Sequence, residues 1–144
     1  MTRIVRRLRC ILAILVLTGG CSQAAKIGQL SGTVTFKGKP VPAGYISFMP
    51  DTTGGNLGQV KVAQIHDGAY DTALEPNPGI SPGAMVIRIA GFDGKKQKGF
   101  SQGKQIFNPY EVRATVANGT STMDFTVPPS AADRLRIEPT SDEP

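Results

Sequence analysis

The chain has 144 residues and a formal net charge of +5, from 16 basic and 11 acidic side chains. Four of the basic ones, Arg3, Arg6, Arg7 and Arg9, precede Cys21; the remaining 12 stand against 11 acids, about +1, which removes the main support for a nucleic-acid partner. Seventeen glycines, eleven prolines and no tryptophan in a chain this short exclude a fold built on long helices.

The first nine residues, "MTRIVRRLR", are basic and lack acids, and "CILAILVLT" (Cys10–Thr18) is apolar but far shorter than the ~20 residues a bilayer-spanning helix needs. A basic start, a short apolar run and then small residues form the pattern of a secretory signal peptide, expected over residues 1–20. "LTGGC" resembles the lipobox of bacterial lipoproteins, with Cys21 as the acylated residue and new N-terminus. One departure is visible: Leu17 lies four residues before Cys21, and Thr18 fills the place usually held by leucine. Ordinary cleavage near Gly20 or Ala25, leaving a soluble secreted protein, is the alternative. Cys10 would leave with the signal, so the mature chain would hold a single cysteine with no intramolecular partner. Acylation would make that cysteine an anchor and protect a thiol otherwise open to oxidation. Ser22 after the cysteine favours outer-membrane sorting under the usual rule for two-membrane bacteria.

Residues 21–28 read as a small, polar tether. In "LSGTVTFKGKPV", Leu30, Gly32, Val34 and Phe36 alternate with polar residues, the period of a half-buried strand. The chain turns at "KGKP" and returns with Val41, Ile46 and Phe48 inward, interrupted by Pro40, Pro42 and Pro50. "DTTGGNLGQ" is a glycine-rich loop without the lysine and hydroxyl that a phosphate cradle requires. "VKVAQIHDGAYDTAL" (Val60–Leu74) predicts a hairpin around Asp67-Gly68. Its inward face is ambiguous, because Val60 and Val62 oppose Ala63 and Ile65; a bulge would reconcile them.

"AMVIRIAGF" predicts a strand with Met85, Ile87 and Ile89 inward and Arg88 outward. The loop "DGKKQKGFSQGKQ" carries Lys95, Lys96, Lys98 and Lys104, the one local charge run after Cys21 and a candidate contact for acidic polysaccharide or anionic headgroups. A plain solvated loop is the bland alternative. "VRATVAN" and "STMDFTV" predict a second hairpin around Gly119, and residues 129–144 a flexible tail. Seven strands over residues 29–128 give an all-β class, expected as a single antiparallel β-sandwich.

The order of these pieces is similar to the carboxypeptidase regulatory-like domain, a transthyretin-like sandwich, as carried by small lipoproteins of the planctomycete type. The stretches that match are "SGTVTFKGKPV" (31–41), "YISFMP" (45–50), "DGAY" (67–70), "ISPGAMVIRIAG" (80–91) and "NPYEVRATVANGTSTMDFTV" (108–127). The resemblance implies a non-catalytic folding or interaction module in which Tyr70 is a packing residue. At the first turn Lys37 stands where the family prefers aspartate or asparagine, so a turn of different type is expected there.

Catalysis has little to work with. A serine–histidine–acid triad could form only around His66, and the hydroxyisourate hydrolases of the same fold use several histidines and a "YRGS" terminus, whereas this chain ends "SDEP". His66, Asp67 and Asp71 are the only local ligand set for a metal, and alternation gives no convergence. The reading is therefore a lipid-anchored envelope module with no catalytic residues, metal or cofactor. Its partners would be the membrane through Cys21 and an envelope protein or polysaccharide. A carbohydrate-binding module is the alternative, with only Tyr45, Tyr70 and Tyr110 as ring platforms besides phenylalanine.

Overall fold

A computed structural model describes residues 27–76, 78–99 and 101–135. The expected signal peptide, Cys21, the tether up to Lys26 and tail residues 136–144 lie outside the described residues.

Among the described residues nine strands occur where seven were expected: β1 (Gly28–Phe36), β2 (Lys39–Pro40), β3 (Ala43–Pro50), β4 (Lys61–His66), β5 (Ala69–Asp71), β6 (Gly83–Phe92), β7 (Tyr110–Val116), β8 (Gly119–Thr122) and β9 (Phe125–Val127). They form one mostly antiparallel, curled sheet, ordered β2-β1-β5-β4-β3-β6-β7, with β8 and β9 added to β1. The two extra strands are subdivisions. Prolines 40 and 42 cut β2 from β3, and the ladder lapses at Met123-Asp124 between β8 and β9.

The predicted second hairpin does not form. β7 pairs with β6, and the chain then crosses through Ala117-Asn118 to lie parallel to β1. β8 and β9 keep one constant register along β1, from Gly28↔Gly119 to Phe36↔Val127, so the sheet is not wholly antiparallel. The alternation in "STMDFTV" gave the correct inward face, with Phe125 and Val127 buried. It carried no information on which strand would be the neighbour.

Both two-residue turns have positive φ at each central position: Lys37 51° and Gly38 73°, Asp67 48° and Gly68 80°. The first turn is therefore of the same mirror-image type as the second, contrary to expectation. Only that twist matches two strands joined by two residues. The left-handed cost at Lys37 is partly offset by its Nζ lying 5.2 Å from the Phe36 ring centroid.

The core is filled as the period of two requires. Leu30, Val34, Val41, Ile46, Phe48, Met85, Ile87 and Ile89 are fully buried. In β4 the ambiguity resolves without a bulge: Ala63 and Ile65 point inward, Val60 and Val62 outward, and the register with β3 is unbroken from Ala43↔His66 to Phe48↔Lys61. Phe107, outside any strand, is also fully buried and packs 4.9 Å from Phe36. After Pro128 the chain does not simply trail off. A 3-10 turn over Pro129–Leu135 seats Ala131 against the core, and the Ala131 carbonyl accepts from Asn108 N at 2.9 Å.

Strand directions give the body two ends. One holds Ile27, Ile80, Gly83, Val116 and Gly119, brought together by Gly28↔Ile80, Gly83↔Val116 and Gly28↔Gly119. The other holds the Lys37-Gly38 and Asp67-Gly68 turns, Ala43 and Phe92. The ten residues of β6 run from the first end to the second, about 30 Å at ~3.3 Å per residue.

Candidate functional site

Two regions collect polar side chains, and each arises where the strand ladder gives out. The first is a groove between β5 and β4. With only three residues, β5 bonds to β1 over Ser31–Thr33 but reaches β4 only at His66↔Ala69. The space left is an open groove of about 650 Å³ lined by Thr33, Gln64, His66, Tyr70, Asp71 and Asp124 among others.

Tyr70 is buried between Phe48 and Phe125, each ring centroid 6.0 Å away, and its hydroxyl donates to the Met123 carbonyl at 2.7 Å. Burial, with the nearby Asp124 charge, pushes its ionisation well above the usual phenol range. Asp124 Oδ1 accepts from both Thr33 Oγ1 (2.8 Å) and Thr33 N (2.7 Å), and these bonds hold its carboxyl below the ordinary value against an opposing desolvation. Gly32 is required at this crossing, since a Cβ there would sit 2.1 Å from the Met123 carbonyl oxygen.

The other acids in the groove are also engaged. Asp71 Oδ1 accepts from Ala73 N at 2.8 Å, and Glu75 Oε1 from Gln64 N at 2.7 Å. His66 is exposed and does not meet Asp67 or Asp71 in a hydrogen bond. Among the described residues no three His, Cys, Asp or Glu side chains are grouped to hold a metal ion. Chemically the groove is a set of strand ties, with each carboxylate satisfying backbone amides.

The second region is the lysine-bearing loop after β6. Asp93 Oδ1 accepts from Lys95 N and Lys104 N, both at 3.0 Å, while Asp93 N donates to the Lys104 carbonyl at 2.9 Å. A single aspartate thus closes the base of an out-and-back arm. The bond from Lys95 N, then that from Lys104 N and the two lysine charges, hold the Asp93 carboxyl below its usual range, with desolvation opposing. Gly103 leaves room for the carboxylate, because a Cβ there would lie 2.0 Å from Oδ1.

Lys95 and Lys104 are brought side by side at the base, Lys96 and Lys98 extend along the arm, and all four are exposed. Gln102 Nε2 donates to Gln64 Oε1 at 3.1 Å and ties the arm to the outer face of β4. Sequence reasoning found the lysines and missed Asp93. The available signal was an Asp-Gly pair directly after a strand, since aspartate there readily caps amides two residues on.

Cys21, the remaining candidate, lies outside the described residues. Five residues separate it from Ile27. Even fully extended, that stretch spans only about 20 Å. A comparison with protein-family models and with curated proteins finds no match for this chain.

Proposed function

We propose that the protein is a non-catalytic module of the bacterial cell envelope, anchored through an acylated Cys21, that presents its lysine arm to an acidic partner away from the membrane. The curled sheet is read as a transthyretin-like β-sandwich of the carboxypeptidase regulatory-like type. β1 supports this, because residues 28–33 pair with β5 and β8 while residues 34–36 pair with β2 and β9, so one strand serves two groups.

The observation that carries the reading is the position of the arm. It springs from Phe92, which the ladder through Ala43, His66 and Ala69 sets level with Thr33, six residues or about 20 Å along the strands from Ile27. A tether of about 20 Å from Cys21 would leave the four lysines facing outward. An acidic polysaccharide therefore fits this placement better than the anionic headgroups of the protein's own membrane. Exposed charge on a loop suits a weak, salt-sensitive contact.

The deciding experiment is the mass of the mature N-terminal peptide from a membrane fraction. A diacyl or triacyl mass on Cys21 is expected. An unmodified N-terminus beyond Gly20 in the soluble fraction would overturn the anchor and leave a secreted module.

A further inference from the structure

Large apolar side chains are exposed near the end of the body where the chain enters from Cys21, Ile27 at 55%, Val60 at 62% and Leu57 at 88%. The patch continues up the outer face of β4 to Val62, 41% exposed and level with Arg88 midway along β6. They belong to one neighbourhood. Ile27, Val60 and Val62 line the same open groove of about 530 Å³ with Ile80 and Ser81. The Leu57 loop is fastened beside it, since Asn56 Nδ2 donates to the Ala84 carbonyl at 2.9 Å and Gly58 lies against Ser81. Ile27 itself rests on Gly79, where a Cβ would come within 2.1 Å of its Cγ2, yet remains over half exposed.

Interior demands do not explain these residues. Ala63 and Ile65 fill the core from β4, so Val60 and Val62 occupy outward positions where polar residues would serve a solvated strand. The described charged residues lining the groove are Lys61 and Glu75, of opposite sign, so the surface offers no net repulsion to a headgroup layer of either charge.

We infer that this apolar end is a membrane-contacting surface, whose occupant is the phospholipid interface itself. The inference rests on the acylated Cys21 of the proposed function. Given that anchor, the length of the intervening chain brings the surface to the bilayer: five residues allow Ile27 to stand no farther than about 20 Å from the anchored sulfur. Acyl chains already hold the protein to the bilayer. The apolar end then sets orientation, fixing the body upright with β6 pointing away from the surface and the lysine arm outermost.

The absence of tryptophan makes a direct test simple. Full-length protein carrying Val60→Trp or Leu57→Trp, each a single fluorophore at an exposed position, is expressed in a lipoprotein-processing host. It is purified from membranes and reconstituted in phosphatidylethanolamine–phosphatidylglycerol vesicles with brominated acyl chains. Lys39→Trp, exposed at the opposite end, is the reference. N-terminal peptide mass is read on the same samples.

The expected result is an acylated Cys21 with blue-shifted, bromine-quenched emission at positions 57 and 60 and unquenched emission at 39. Acylated protein in which positions 57 and 60 are no more quenched than 39 overturns the contacting surface and leaves the anchor standing. Protein without acyl chains overturns the anchor reading and this inference with it.

Discussion

At three places where the backbone ladder lapses, a side-chain oxygen takes the position of a missing carbonyl. Thr72 Oγ1 accepts from Leu30 N at 2.9 Å, Asp124 Oδ1 from Thr33 N at 2.7 Å, and Glu75 Oε1 from Gln64 N at 2.7 Å. Thr72 is the most deeply placed, fully buried and the one polar side chain in the core among the described residues. Its loss is therefore informative. Thr72→Val keeps the shape and removes the acceptor, leaving Leu30 N–H buried without a partner. That substitution is expected to lower unfolding free energy by about 1–3 kcal/mol, read as a shift in urea midpoint with unchanged slope. An unchanged midpoint would mean that Leu30 N–H finds another acceptor. No sequence pattern marked Thr72, because a threonine near a strand end is ordinary and its partner is 42 residues away.

The individual strands were legible because burial on one face writes a period of two into the residues. Met85, Ile87 and Ile89 are the plainest case, all fully buried with Arg88 exposed between them. The inward face of β4 was legible too, through the turn. Two central residues put His66 opposite Ala69, so an inward Tyr70 requires an inward Ile65, and Ala63 follows. Taken alone, without the turn, the strand does not carry that step. The neighbours of β8 and β9 were not legible, since a short connection argues for a hairpin and period two is silent on the crossing to β1. Phe107 and Ala131 escaped for a related reason: neither belongs to a periodic run, yet both pack on the core.

The junction of β8 and β9 with β1 also gives the fold an acid-sensitive tie. Asp124 titrates below its ordinary value when folded, whereas in the unfolded chain it returns to near 3.9. Between those values the unfolded chain binds more protons, so stability rises with pH. The contribution is whole above about pH 5 and is lost as pH falls through the depressed folded value. Asp51 and Asp93 shift in the same direction, so the wild-type protein should weaken in acid. Asp124→Asn is expected to make that fall shallower, measured as urea midpoint between about pH 2 and pH 6. A curve parallel to wild type would show that the Thr33 bonds do not favour the charged form.

Across the whole molecule the two ends differ in chemistry. Apolar residues surround the point of chain entry, and the lysine arm stands at the far end, held by Asp93 and by Gln102 on β4. Because residues 21–144 carry 12 basic against 11 acidic side chains, attraction of a polyanion to that part of the chain cannot come from overall charge and must come from a local cluster. An acidic polysaccharide such as polygalacturonate should therefore bind vesicle-anchored protein as readily as detergent-solubilised protein. Binding should fade as salt rises from about 0.05 to 0.5 M, where screening shortens the reach of exposed charges to a few ångströms. Replacing Lys95, Lys96, Lys98 and Lys104 by glutamine should abolish binding while moving the unfolding midpoint little, since all four side chains are exposed and only their charges act on Asp93. Glutamine also leaves the Lys95 and Lys104 backbone amides on Asp93, so the arm keeps its closed base. Retained binding in that variant would move the partner site elsewhere. Binding in detergent that disappears on vesicles would place the arm against the bilayer, and the upright orientation would fall with it.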